Sequence, residues 1–272
     1  MKSFQLKPGN KVNLDDFDPA GTEGFEGGKK AGLSEVAGLV KELDALQEML
    51  YAQHQHKVLI VLQGMDTSGK DGTIRRVFEG VNPQGVKVAS FKVPTAEEAA
   101  HDYLWRIHAE MPGAGEMVIF NRSHYEDVLV VRVHKLVPPV TWKARFAQIN
   151  DFEKMLSQEG TLILKFFLHI GLDEQKTRLR ERLDDETKQW KYNPADLKER
   201  ALWKEYRKAY EDVLTQTTTD YAPWYVVPAN RNWFRDLVVA DSIVKALRGL
   251  KMEYPKPGFD VEAAKRDLED AA

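Results

Sequence analysis

The chain has 272 residues, 43% hydrophobic and 30% charged, which excludes wholesale disorder, collagen-like repeats and low-complexity sequence and supplies enough apolar material for a sizeable core. Its 39 Lys and Arg against 42 Asp and Glu leave a net charge of −3, so no global positive field invites nucleic acid or an anionic membrane, and any anion site has to be local. The absence of cysteine removes disulfides, zinc ribbons, iron–sulfur clusters and thiol nucleophiles, and it fits a reducing compartment.

Met1 to Gly9 lacks the apolar core of a signal peptide, and no later apolar run reaches the ~18 residues of a spanning helix, so the expectation is a cytoplasmic protein without a membrane partner. Residues 1–30 read as an irregular arm, because Gly21, Gly24, Gly27 and Gly28 interrupt any periodicity. Leu33, Val36, Leu39, Val40, Leu43, Leu46 and Leu50 then recur at helical spacing, with Ser34 as the candidate cap. Val58 to Leu62 is a continuous apolar strand, the kind a parallel sheet buries on both faces. Further short apolar runs stand at 86–91, 117–120, 161–170 and 224–227, separated by stretches of helical spacing.

Thr95 and Glu98 have capping-box spacing and open a helix expected to run through Tyr103, Leu104 and Ile107. Asp173 to Leu183 reads as another helix, followed by a charged loop to Pro194 and a helix from Asp196 to Val213. The alternation argues an α/β fold around a central parallel sheet. One domain spans 31–250, with a projecting helical lid at about 173–200, and 251–272 forms a tail.

The most informative segment is Gly64-Met65-Asp66-Thr67-Ser68-Gly69-Lys70, which fits G-x-x-x-x-G-K between a strand and a helix. Backbone N–H groups of such a loop and the positive end of the next helix cradle phosphates, and the lysine reaches the transferring phosphoryl group. Asp71 stands where Ser or Thr usually offers a hydroxyl to Mg²⁺, and Asp66 is a second carboxylate inside the loop. Among phosphates these two point to a bound cation or to proton acceptance; for Asp71, capping of the helix is an equal alternative. Gly72 lets the helix start approach a ligand or strand closely.

The run 117–120 ends in Asn121-Arg122-Ser123-His124-Tyr125-Glu126-Asp127, and ligands of open parallel sheets bind beyond such strand ends, so Arg122 is expected to face the phosphate loop. Glu126 and Asp127 are metal candidates or simply first-turn carboxylates. Arg178 and Arg182 lie four apart on one helical stripe and make a candidate clamp for phosphoryl oxygens, with Arg180 pointing away. Lys188 and Lys191 read as a solvated face. The seven histidines show no metal-binding spacing.

Four separated motifs, Gly64 to Gly72, Ser90-Phe91-Lys92-Val93-Pro94-Thr95 with His101 to Arg106, Asn121 to Asp127, and Lys188 to Pro194, make residues 30–250 resemble the polyphosphate kinase 2 family. The resemblance implies a P-loop kinase-like three-layer sandwich with a helical lid. It also implies reversible transfer of the terminal phosphoryl group of inorganic polyphosphate to nucleotides, with Mg²⁺ or Mn²⁺ as cofactor. Asp71 is in keeping with that family, and Glu126 beside Asp127 resembles the subgroup that accepts both mono- and diphosphates. AMP, ADP and ATP, and also GMP and GDP, are the candidate nucleotides, and a homodimer or tetramer the implied assembly.

On this resemblance the phosphate cradle is Gly64, Thr67, Ser68, Gly69, Lys70, Asp71 and Gly72; Asp66 and Asp127 hold metal; Arg122, Arg178 and Arg182 stabilise the in-line arrangement; and Lys92, Arg122 and Glu126 meet the acceptor. The letters alone do not separate polyphosphate from the phosphates of ATP, which leaves an ATP-dependent nucleoside monophosphate kinase as the rival. A P-loop switch is disfavoured because the chain has no Asn-Lys-x-Asp motif.

Overall fold

The computed structural model describes residues 4–271. In chain order it contains α1 (Lys29–Gln53), β1 (Lys57–Gln63), α2 (Lys70–Val77), β2 (Val86–Ser90), α3 (Ala96–Ala100), α4 (Trp105–His108) and β3 (Met117–Asn121). A 3₁₀ turn over His124–Asp127 leads to α5 (Val130–Val133), α6 (Pro139–Gln158) and β4 (Thr161–His169). Then follow α7 (Leu172–Asp184), α8 (Ala195–Ala201), α9 (Trp203–Thr217), β5 (Trp224–Pro228), α10 (Asn232–Gly249) and α11 (Val261–Asp270).

The five strands are all parallel, in the order β2-β3-β1-β4-β5. Val58 to Leu62 are fully buried, which accounts for the uninterrupted apolar letters of β1: both of its faces meet helices. One helical layer packs α1 and α2 against α10, and the other packs α5 and α6 against α9. Because β1 lies between β3 and β4, the loop after it opens at the point where the strand order reverses, which is the ligand crevice of a doubly wound sheet.

Every strand expected from the sequence is present; the helix ends differ. α1 starts at Lys29 behind Gly28, so Ser34 lies inside the helix and caps nothing, and Leu33 is exposed. The Thr95–Glu98 capping box forms as expected, but the helix stops at Ala100. Asp102 offers its own carboxylate to the Leu104 N–H at 2.9 Å, a local bond that competes with continuing the helix, and α4 starts afresh. The expected helix from Asp196 to Val213 is two helices, with a bend at Leu202. Apart from a 3₁₀ turn over Leu14–Asp16 the arm is irregular, yet it is tied down: Gln5 bridges Tyr225 antiparallel and so covers the β5 edge of the sheet. The tail carries one exposed helix, α11.

Candidate active site

Backbone geometry builds the phosphate loop. Thr67 (φ 64°) and Gly69 (φ 100°) both adopt left-handed conformations on either side of Ser68, an alternation that turns successive N–H groups toward one side. A Cβ on Gly64 would stand 2.8 Å from the Leu168 carbonyl of β4, and one on Gly69 would stand 1.9 Å from Arg235 Nη1, so the loop needs glycine at both places. Thr67 Oγ1 and Ser68 Oγ are buried without a hydrogen-bond partner in the protein, as expected of hydroxyls that await an anion.

Lys70, the first residue of α2, folds back to donate from Nζ to the Gly64 carbonyl at 2.8 Å. Burial pulls its pKa below the ordinary lysine value, while Asp66, Glu126 and Asp71 act in the opposite direction. Arg122 has a left-handed backbone (φ 63°) that turns its side chain from the end of β3 toward the loop, where Nη2 lies 3.3 Å from Asp66 Oδ1. Burial works against its charge, but Glu126 and Asp66 outweigh that effect and hold its pKa high. Asp71 does not cap α2. It accepts from Asn121 Nδ2 at 2.6 Å and so joins the first turn of α2 to the end of β3. Gly72 stands beside them in the cavity wall.

The two lid arginines differ in kind. Arg178 Nε donates to Glu174, Nη1 to the carbonyls of Thr67 and Ser68, and Nη2 to those of Ala229 and Asn230. Its five N–H groups are therefore all matched within the protein. The expected phosphoryl clamp is, at this residue, a staple between the phosphate loop and the end of β5. Arg182 keeps free donors: Nη1 lies 3.3 Å from the Lys191 carbonyl and 3.5 Å from Asp196, and the side chain faces the cavity. Arg180 is exposed and takes no part in the wall. Lys188 and Lys191 do line it, against the expectation of a merely solvated face.

Two residues expected at the metal and the acceptor lie outside both cavities. Asp127 is buried and ion-paired with Arg145 at 3.1 Å, and it lines neither cavity described below, so the structure does not bring it to Asp66 as a second metal ligand. Adjacent residues of a tight turn project differently, and it is Glu126 that faces inward. Burial raises the Glu126 pKa, against Arg122 and Lys70, which pull it down. Lys92 contributes only its carbonyl, to Arg106 Nη1 at 2.8 Å; its side chain is exposed and lies outside both cavities.

Among the described residues no three His, Asp or Glu side chains converge as a ready cation site. Mg²⁺ is commonly held by one or two carboxylates with substrate phosphates and water supplying the rest, and Asp66, partly exposed inside the loop, fits that need. Sequence reasoning missed Arg235, Asn232 and Asp196, which also line the wall. Arg235 is nearly fully buried and donates to Asn232 at 2.8 Å and to Asp236. The signal was Arg231, Asn232 and Arg235 straight after the last strand, at the same sheet edge as the phosphate loop.

Two cavities result. One, of about 520 Å³, lies between the phosphate loop, Arg182, Lys188, Lys191 and Arg235. The other, of about 400 Å³, lies between Glu126, His134, Trp203, Tyr206 and Tyr210. Asp66, Arg122 and Asp196 line both, so the two meet beside the loop.

A comparison with family models matches residues 27–255 to polyphosphate kinase 2. The chain belongs to that family. It is 58% identical over 257 residues to an AMP/ADP-polyphosphate phosphotransferase of Meiothermus ruber, covering 94% of this chain and 96% of the relative. It is 41% identical to an ADP-polyphosphate phosphotransferase of Rhodopseudomonas palustris, covering 94% and 92%. The crystal structure of polyphosphate kinase 2 from Arthrobacter aurescens TC1 superposes with a TM-score of 0.95 at 43% identity, covering 99% of this chain and 95% of that one. The family's α/β fold, a five-stranded parallel sheet flanked by helices, is thus the fold of this chain.

Proposed function

We propose that this protein transfers the terminal phosphoryl group of inorganic polyphosphate to AMP and ADP, reversibly. The observation that carries the proposal is the meeting of the two cavities at Asp66 and Arg122: one is walled by cations suited to a linear polyanion, and the other by aromatic rings and Glu126, suited to a nucleotide. The names of the relatives from Meiothermus ruber and Rhodopseudomonas palustris support the same donor and acceptors.

Phosphoryl transfer asks a protein mainly for alignment and charge neutralisation, since the transition state is loose and its charge is spread over equatorial oxygens. In this reading the loop amides, Thr67, Ser68 and Lys70 hold the transferred group. Arg122, already beside Asp66, reaches the junction from the acceptor side, and Arg182 does so from the lid. Arg178 keeps the loop in shape and touches no phosphate. Mg²⁺, held by Asp66 and phosphate oxygens, would neutralise charge between donor and acceptor. Glu126 turns toward the acceptor cavity with Tyr206 and Tyr210.

A homo-oligomeric assembly and a cytoplasmic location complete the proposal. They are supported by the family resemblance and by the lack of cysteine; among the described residues no helix is long and apolar enough to cross a membrane. Incubation of the purified protein with ADP and polyphosphate, with no nucleotide donor, tests the central claim: ATP is the expected product, and its absence when ATP plus AMP still reacts would replace the reading with an ATP-dependent monophosphate kinase.

A further inference from the structure

Beneath the turn that carries Glu126 lies a group of buried polar side chains that the phosphoryl chemistry does not touch. Lys165, within β4, has no exposed surface, and its ammonium donates to Glu153 Oε2 at 2.6 Å, to the Tyr125 hydroxyl at 2.8 Å and to the Thr217 carbonyl at 2.8 Å. All three of its protons are matched. Glu153 of α6 is equally buried, and its Oε1 accepts from the Tyr125 hydroxyl at 2.8 Å and pairs with His124 Nε2 at 3.2 Å. The Tyr125 ring is further pinned edge-on by Trp224, at 4.8 Å between centroids.

A buried ion pair adds little stability compared with apolar residues of the same size, so stability alone is a weak reason for this one. Its location offers a better reason. His124 and Tyr125 begin the 3₁₀ turn whose next residue is Glu126, and Arg122 lies just before it in a strained backbone. From the other side, Gln63 at the end of β1 donates to Ser123 Oγ at 3.1 Å. The turn is thus fastened from below to two elements, α6 and β4, while its upper face meets the acceptor cavity.

We propose that the Glu153–Lys165 pair, acting through Tyr125 and His124, positions Glu126, which lines the acceptor cavity alone, for the acceptor nucleotide. Neither charged residue lines either cavity, so both are positioning residues. The proposal rests on the phosphotransfer reading above, and the parent protein's turnover of AMP with polyphosphate tests that reading separately.

The experiment compares Tyr125→Phe, His124→Leu and His124→Gln with Ile163→Val, a small truncation of a buried apolar side chain in β4, the strand that carries Lys165. In Tyr125→Phe and His124→Leu the KM for AMP should rise about tenfold while that for polyphosphate stays within about twofold, since small displacements at a reacting centre act on the group they misplace. His124→Gln, whose amide donates to Glu153 in place of the imidazole, should restore the parent value, and Ile163→Val should change Tm only. If Tyr125→Phe and His124→Leu lower Tm with both KM values unmoved, or shift the two KM values equally, the network is structural support and the proposal is overturned.

Discussion

Arg178 donates from Nη1 to the carbonyl oxygen of Thr67 at 2.9 Å, so the first lid helix holds the phosphate loop itself. The guanidinium fork bridges backbone carbonyls from two strand ends that no hydrogen-bond ladder joins at this point. An ammonium at the same place keeps the charge and loses the geometry.

Arg178→Lys should therefore lower Tm by several degrees, because carbonyls of the loop lose their donors, and should slow turnover as the loop relaxes. Arg182→Ala should leave Tm nearly unchanged and reduce kcat by about 10³ or more, in the range of a transition-state arginine. Thermal melts and initial rates on both variants separate the roles; a Tm loss confined to Arg182→Ala would reverse the assignment.

Gly69→Ala combines two costs. The residue has φ 100°, and a Cβ would press on Arg235 Nη1, whose side chain is pinned by Asn232 and Asp236. A destabilisation of about 2 kcal/mol or more is expected, with polyphosphate binding weakened at least about tenfold. Gly80→Ala is the comparison, since φ there is 87° but nothing lies within 4 Å of the added carbon. It should show the smaller backbone cost alone, with full turnover.

His169 accounts for part of the response to acid. Burial lowers its pKa from 6.5 to about 4, against the hydrogen bond of Nε2 to the Phe17 carbonyl. The unfolded chain binds the proton more readily between those values, so this contribution is complete above pH 6.5 and is lost as pH falls toward 4. The shift corresponds to about 3 kcal/mol. Replacing His169 by Gln, which still offers a donor to Phe17, should flatten the decline of Tm across that window; an unchanged slope would place the acid sensitivity elsewhere.

Glu126 has the opposite sign. Its folded pKa is raised by burial above the ordinary 4.5, so the folded chain holds the proton more readily, and stability falls as pH rises through the raised value. Glu126→Gln should consequently raise Tm at pH 7, give no gain below pH 4, and weaken the use of AMP, as read by melts at both pH values and by the KM for AMP. A variant less stable at pH 7 would show that Arg122 and Lys70 more than offset the burial cost.

The sequence by itself determined the five strands, the phosphate loop and its lysine, because short apolar runs and a glycine-spaced loop are signals carried by residues adjacent in the chain. It also determined the family, since four motifs in order leave little room for another. Tertiary structure decided which way each side chain faces. Glu126 and Asp127 are neighbours in one turn, yet one meets the cavity and the other meets Arg145 from α6. Arg178 and Arg182 share one helical stripe, yet the first is filled by carbonyls brought from β5. Arg235 enters the site from a helix more than 160 residues beyond the loop it touches. Such partners come from distant chain segments, and no pattern in the letters around a residue records what the fold will place opposite it.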